Sequence, residues 1–287
     1  MTPMSNEQQH CLPRIRASYS SFSEKEKQVA DYILANPNKM IHSTINQVAE
    51  DLGVAEATVF RFCKRLGFQG YQAMKIALAS EIVTPIQDIH ETIQEDDDEK
   101  TVADKVFKSN IRTLEDTMQV LDVESFKRAV DYLLHARRIE FYGNGGSGVI
   151  ALDAHHKFLR TGIPSAAYHD SHFQVMSASQ LTKQDVAVFI SHSGTNRDLL
   201  QALEVAKSHQ VKTIGITTYG KTPLSKEVDI ALYTVSQETE YRSEALASRL
   251  AQLSIIDALY VNVSIRRKDE MKSSLHNMRK AISLKRM

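Results

Sequence analysis

Residues 191–198, SHSGTNRD, set Ser191, His192, Ser193, Gly194, Thr195 and Asn196 between an apolar run, DVAVFI, and a stretch of helical spacing, LLQALEVAKSHQ. Hydroxyls and a glycine at a strand-to-helix junction suit a nucleophile, a phosphate cradle or a polar turn. The Gly-x-Ser-x-Gly spacing of a nucleophile elbow is missing and no base is placed by sequence, so nucleophilic catalysis is disfavoured. A second loop, FYGNGGSG at 141–148, brings Gly143, Gly145, Gly146, Ser147 and Gly148 directly after a strand and before a helix. Glycines there let backbone amides approach an anion, and the helix N-terminus adds the positive end of its dipole. Gly143, Gly145 and Gly148 also fit G-x-G-x-x-G, with Asp170 as a mimic of the ribose-binding acid. Two polar loops at the carboxyl ends of neighbouring strands nevertheless suit one compact phosphorylated ligand better than an extended dinucleotide.

Residues 45–68, INQVAEDLGVAEATVFRFCKRLGF, carry a different chemistry. Val48, Ala49 and Leu52 form one apolar face, Gly53 breaks the helix, Val54 fills the turn, and Val59 with Phe62 begins a second apolar face. Two short helices joined by a tight glycine turn form the helix-turn-helix pattern. In that geometry the second helix enters the major groove and its outward residues meet base edges. Here those are Glu56, Thr58, Arg61 and Lys64, with Arg65 nearby. Arg61 suits bidentate reading of guanine, Lys64 and Arg65 suit phosphates, and Thr58 suits either. From 56 to 80 four basic residues face Glu56 alone, so positive charge is local here although the whole chain balances 35 basic against 35 acidic residues. A plain helical hairpin with a solvated basic face is the competing reading. The continuation RFCKRLGFQGYQAMK weighs against it, because Gly67 stops the helix and Phe68 and Tyr71 are placed to anchor the next one beside the groove.

The elements that position these residues follow from periodicity. EKEKQVADYILANP and TINQVAEDL have apolar residues at helical spacing, with Pro37 closing the first, so residues 1–82 are expected to be an all-helical helix-turn-helix domain. TPIQDIHETIQEDDDEK, at 84–100, holds seven Asp or Glu against one Lys and reads as a solvated linker, assigned to 83–101. Helical stretches at 101–119 and 122–137 come next. Five short apolar runs, RIEFYG, PSAAYHD, DVAVFIS, VKTIGIT and DIALYTV, then alternate with amphipathic helices. That alternation predicts a doubly wound parallel five-stranded sheet over 102–287, giving an α plus α/β chain. A length of 287 residues with 42% hydrophobic content supports two folded units of this kind.

Other residues weigh against further chemistry. Cys11 and Cys63 form no CxxC pair; Cys11 falls in an expected flexible end and Cys63 beside Phe62 in packing. His169, Asp170 and His172 lack a third ligand at a diagnostic spacing, so neither a metal nor a cofactor is expected. His155 and His156 are neighbours on a helix and cannot both face one site. With no run of 18 apolar residues and no signal layout in MTPMSNEQQHCLPRIR, a cytoplasmic protein with no membrane partner is expected. The tail RRKDEMKSSLHNMRKAISLKR, with eight basic and two acidic residues, reads as a solvated helix.

Three stretches together, VAEDLGVAEATVFRFCKRLGFQGY, FYGNGGSG and SHSG, resemble the RpiR family of bacterial transcriptional regulators from about residue 12 to 280, and residues 102–267 resemble its sugar isomerase (SIS) domain. The resemblance implies that Ser147, Ser191 and Ser193 hold a phosphate, with Gly145, Gly146, His192 and Gly194 in the same loops. The family pattern continues with an acidic residue and then Thr; here Thr195 and Asn196 follow, and either one completes the cradle. Related isomerases need a general base near the sugar carbons, for which Glu244, at the start of the last apparent helix, is the candidate; a helix-start carboxylate favoured by the dipole is the plainer reading. The implied function is a DNA-binding regulator, by default a repressor, of sugar or amino-sugar catabolism rather than an enzyme. Its partners would be double-stranded operator DNA and a phosphorylated sugar effector, and it would act as a homodimer or homotetramer. The alternative is a phosphosugar isomerase with an accessory helical domain, which would have little use for a basic recognition helix.

Overall fold

The computed structural model describes residues 10–82, 93–236 and 244–285. They form two compact units, one up to Lys105 and one from Val106, each with its own core.

In the first unit α1 (Leu12–Ser18), α2 (Glu24–Ala35), α3 (Pro37–His42), α4 (Ile45–Leu52), α5 (Glu56–Arg65) and α6 (Tyr71–Ile82) follow with short connections. Capping boxes start two of them, Ser23 with Glu26 at α2 and Thr44 with Gln47 at α4, satisfying amides that have no partner inside a helix. Pro37 opens α3 rather than closing α2, because its missing N–H costs nothing at a first helical position. Val29, Ile33, Met40, Val48, Val59, Phe62, Met74 and Leu78 are fully buried between these helices.

Cys11 corrects the expectation of a flexible end. It is fully buried in this core, its N–H donates to the Glu81 carboxylate, and the N–H of Leu12 donates to Glu81 Oε2 at 3.0 Å. A carboxylate there complements the positive end of α1. Burial pushes the Cys11 thiol well above its ordinary pKa and that of Cys63 up to about 12. Both stay neutral thiols at physiological pH and act as packing.

In the second unit α7 (Glu99–Val120), which crosses the boundary between units, leads into α8 (Val123–Leu134). Then come β1 (Ile139–Gly143), α9 (Gly146–Phe158), β2 (Ser165–Tyr168), α10 (Ser171–Ala178), β3 (Val186–Ile190), α11 (Arg197–Ser208), β4 (Lys212–Thr218), α12 (Pro223–Glu227), β5 (Ile230–Thr234), α13 (Glu244–Arg266) and α14 (Lys268–Ser283). α7 starts inside the stretch read as linker, of which residues 83–92 lie outside the described residues. All strand pairs are parallel, in the order β2-β1-β3-β4-β5. Every residue of β1 and β3 is buried, as near-continuous apolar runs require when helices cover both faces. Phe141, Val188, Ile214 and Ile216 pack with residues of α8, α9 and α13, whereas Tyr142, Phe189, Leu203 and Leu224 form the opposite layer with α10, α11 and α12. The chain winds outward from β1 to β2, then restarts beyond β1 at β3. That reversal opens a crevice at the carboxyl ends of β1 and β3. No described helix is long and apolar enough to cross a membrane.

Candidate functional site

Two loops meet at that crevice. After β1 the chain turns through Gly145, at φ 54° and ψ −124°, into α9. The Asn144 carbonyl accepts from the Ser147 and Gly148 amides at 3.1 and 3.3 Å. A Cβ on Gly143 would stand 2.5 Å from the Ser147 carbonyl oxygen, so only glycine lets this turn close. After β3 the second loop is held from below: the Ser191 amide donates to Ile216, the Thr218 amide to His192 and the Leu224 amide to Gly194, each at 3.0 Å. Ser191 is buried and its Oγ accepts from the Gly194 amide at 3.1 Å. Ser193 is exposed and its Oγ accepts from the Thr195 hydroxyl at 3.0 Å. Asn196 caps α11, its Oδ1 accepting from the Leu199 amide at 2.9 Å.

A cavity of about 240 Å³ lies between the loops, lined by Asn144, Gly146, Ser147, Ser191, His192, Ser193 and Asn196 above Ile190 and Leu199. Six expected residues are thereby brought together. Gly145 and Gly194 shape the loops, while Thr195 bonds Ser193 and is not part of the wall. Glu244 is the first residue of α13, and its side chain lies outside the described residues. The far wall was not foreseen: Ser248, Arg249 and Gln252 of α13 complete it. Ser248 and Gln252, one turn apart, are 0% and 1% exposed, and Gln252 Nε2 has no hydrogen-bond partner. Among the described residues Arg249 brings the one formally charged side chain of the lining, its Cδ and Nε 4.0 Å from where a Cβ on Gly146 would be. Two helix N-termini, four serine hydroxyls, the side-chain amides of Asn144, Asn196 and Gln252, and a guanidinium thus converge, a donor-rich set that suits an oxyanion.

The histidine readings resolve separately. Asp170 caps α10, accepting from the His172 and Phe173 amides at 3.0 and 3.1 Å, so neither a ribose acid nor a metal ligand is needed to explain it. Among the described residues no group of three or more His, Cys, Asp or Glu is arranged to hold a metal. His155 Nδ1 lies 3.0 Å from Ser165 Oγ, and burial lowers its pKa; His156 Nε2 instead meets Arg160 Nη2 at 3.1 Å.

In the first unit, Gly53 ends α4 at φ 61° and its amide donates to Ala49 and Glu50, while the Val54 amide donates to Ala49 at 3.0 Å. That left-handed cap sets α5 across α4 with Ala49, Val59 and Phe62 buried between them. Glu56, Arg61 and Lys64 are exposed on α5, and Thr58 is half-buried. Arg61 Nε donates to the Ala57 carbonyl at 3.1 Å. Arg65 is also tied within the unit: its Nη1 reaches both Glu26 oxygens at 2.9 and 2.7 Å, and its Nη2 reaches the Ser21 carbonyl at 2.5 Å. Burial alone would raise the Glu26 pKa, yet Ser23 and Arg65 hold it below the ordinary value. Phe68 and Tyr71 are core residues, the Tyr71 hydroxyl donating to the Ser43 carbonyl at 2.9 Å. A further exposed residue is Phe60, 43% exposed, with the Lys64 ammonium 5.7 Å from its ring centroid.

Residues 9–85 match the helix-turn-helix domain of the rpiR family, and residues 132–262 match the SIS domain. An HTH-type transcriptional regulator of Caldanaerobacter subterraneus subsp. tengcongensis is 37% identical over 276 residues, covering 96% of this chain and 98% of that one. The HTH-type transcriptional regulator HexR of Escherichia coli K12 is 33% identical over 272 residues, with 94% and 93% covered. Among solved structures, the Vibrio vulnificus NanR protein complexed with ManNAc-6P superposes with a TM-score of 0.60 at 26% identity, over 96% of this chain and 99% of that one. The chain therefore belongs to the rpiR family of helix-turn-helix transcriptional regulators that carry a SIS domain.

Proposed function

We propose that this regulator represses genes of sugar or amino-sugar catabolism in the cytoplasm, and that a sugar phosphate in the cavity between β1 and β3 releases it from double-stranded operator DNA. The convergence of the α9 and α11 N-termini with Ser147, Ser191 and Ser193 around one cavity carries this reading. The ManNAc-6P in the NanR complex is a ligand of the same class. Asn196, rather than Thr195, completes the cradle, since its Oδ1 is committed to the cap and its NH2 is left for an acceptor. Glu56, Thr58, Arg61 and Lys64 face DNA from α5. Residues 1–82 form the DNA-binding part, 83–101 the linker and 102–287 the effector and assembly part. One helix-turn-helix head reads only a half-site, so the active species is a homodimer or homotetramer. Phe107, Ile111, Leu114 and Met118, at helical spacing on α7 and 36–71% exposed, supply an apolar row for self-association.

The test is a gel-shift titration over the intergenic DNA upstream of the gene, at two salt concentrations, with hexose, amino-sugar, acidic-sugar and muramic phosphates added in turn. A salt-sensitive complex that one phosphosugar weakens is the expected result. No such complex under any of these conditions would remove the proposal.

A further inference from the structure

A second cavity, of about 440 Å³, lies at the opposite end of the sheet, beside the amino ends of β1, β3 and β4. Four cations from separate segments line it: Arg137 after α8, Lys183 before β3, Lys212 at the start of β4 and Arg267 between α13 and α14. None of its ten lining residues carries a carboxylate. Asp185 lies behind the wall and is taken up by Arg137 and by the Thr182 amide and hydroxyl. Asp131, next in sequence to the lining residue Tyr132, pairs with His135 Nδ1 at 3.2 Å. The Nε of Arg267 is buried and has no hydrogen-bond partner. Gathering cations around a concavity and burying a guanidinium N–H without an acceptor both oppose folding, and an entering oxyanion offsets both.

We propose that this cavity binds a small polyphosphorylated metabolite, at a site separate from the sugar-phosphate cavity. The volume lies within the range of small-molecule sites. With Arg137 held by Asp185, Lys183, Lys212 and Arg267 still ask for at least two anionic groups, and Arg267 supplies a forked donor for one of them. The Tyr132 ring packs against the core and carries the Lys212 ammonium 4.8 Å from its centroid, and His135 is paired with Asp131, so neither ring of the lining is free of a partner and a non-aromatic polyanion fits better than a nucleotide. The concave wall and the buried Nε favour a small ligand over the convex backbone of duplex DNA.

Pyrophosphate is the probe, titrated calorimetrically into the full-length protein, its Ser193→Ala variant and a Lys183→Gln/Arg267→Gln double variant. Ser193→Ala is expected to retain pyrophosphate binding, and the double variant to lose about tenfold or more in affinity while keeping its phosphosugar titration, with a ligand-free Tm unchanged or raised. If Arg267→Gln disturbs the α13–α14 junction, Lys183→Gln alone, on a surface loop, is expected to show a smaller loss in the same direction. Equal affinity in wild type and both Lys183 variants, or no heat in Ser193→Ala, overturns the site. A double variant that weakens operator binding and lowers its salt slope without pyrophosphate identifies a DNA contact instead, and also overturns it.

Discussion

Thr222 closes over Gly194 so tightly that a Cβ on Gly194 would stand 2.4 Å from its Oγ1. Gly194 also sits at φ 63°, which side-chain-bearing residues rarely adopt. Thr222 cannot swing aside freely, because its Oγ1 caps α12 by accepting from the Ser225 amide at 3.0 Å. Gly194→Ala is therefore expected to lower the stability of the second unit by roughly 1–3 kcal/mol and to abolish sugar-phosphate binding, while operator binding without effector survives. Calorimetric melting and effector titration check this; a variant with a wild-type melt and titration would show that the loop is not fixed by this pair.

Gln252 makes a prediction of opposite signs. Its Nε2 is buried on the cavity wall with no partner, and an unmet buried donor costs about 1–3 kcal/mol. Gln252→Leu is expected to leave the ligand-free Tm unchanged or raised, yet to weaken the sugar phosphate by about tenfold. Arg249→Gln, which removes the charge of the same wall, is expected to weaken it by a similar factor. A Gln252→Leu variant that melts lower and binds normally would assign Gln252 to packing.

The contrast between the loops and α13 shows what sequence can reveal. Ser147, Ser191 and Ser193 were legible because glycines and hydroxyls at strand-to-helix junctions are local signals, decided by residues adjacent in the chain. Arg249 and Gln252 reach the same cavity from a helix packed there by Ile255, Ile256 and Leu259, and nothing next to them in sequence distinguishes them from other polar helix residues. The ion pair of Arg65 was hidden for a similar reason: its partner Glu26 lies 39 residues upstream. Cys11 likewise depended on Glu81, 70 residues away.

Arg61 and Arg65, one turn apart on α5, should separate in experiment. Arg61→Ala leaves the core untouched, since it gives up only a bond to the Ala57 carbonyl. Its expected effect is a loss of operator discrimination of about 1–3 kcal/mol with an unchanged Tm and effector titration. Arg65→Ala breaks the Glu26 and Ser21 contacts and is expected to cost about 1 kcal/mol of stability. Gel shifts against operator and mismatched DNA, read beside melting curves, distinguish them; a destabilised Arg61→Ala with intact discrimination would reverse the assignment.

Asp185 predicts how the second unit responds to acid. Its side chain is fully buried at the start of β3, and burial by itself would raise its pKa. Arg137 at 2.9 and 2.7 Å and the Thr182 amide and hydroxyl at 2.8 and 2.9 Å outweigh that and hold it below the ordinary value of 3.8. A carboxylate with a lowered folded-state pKa stabilises the fold above the unfolded-state value, and that stability disappears as pH falls through the folded one. The wild-type protein should therefore lose stability in the window below 3.8. Asp185→Asn should be less stable at neutral pH by roughly 1–3 kcal/mol, and its denaturation midpoint should fall less steeply across the acid window. Urea titrations from neutral pH downward measure both quantities. An Asp185→Asn curve that runs parallel to wild type through the acid limb would show that another carboxylate sets the acid sensitivity of this unit.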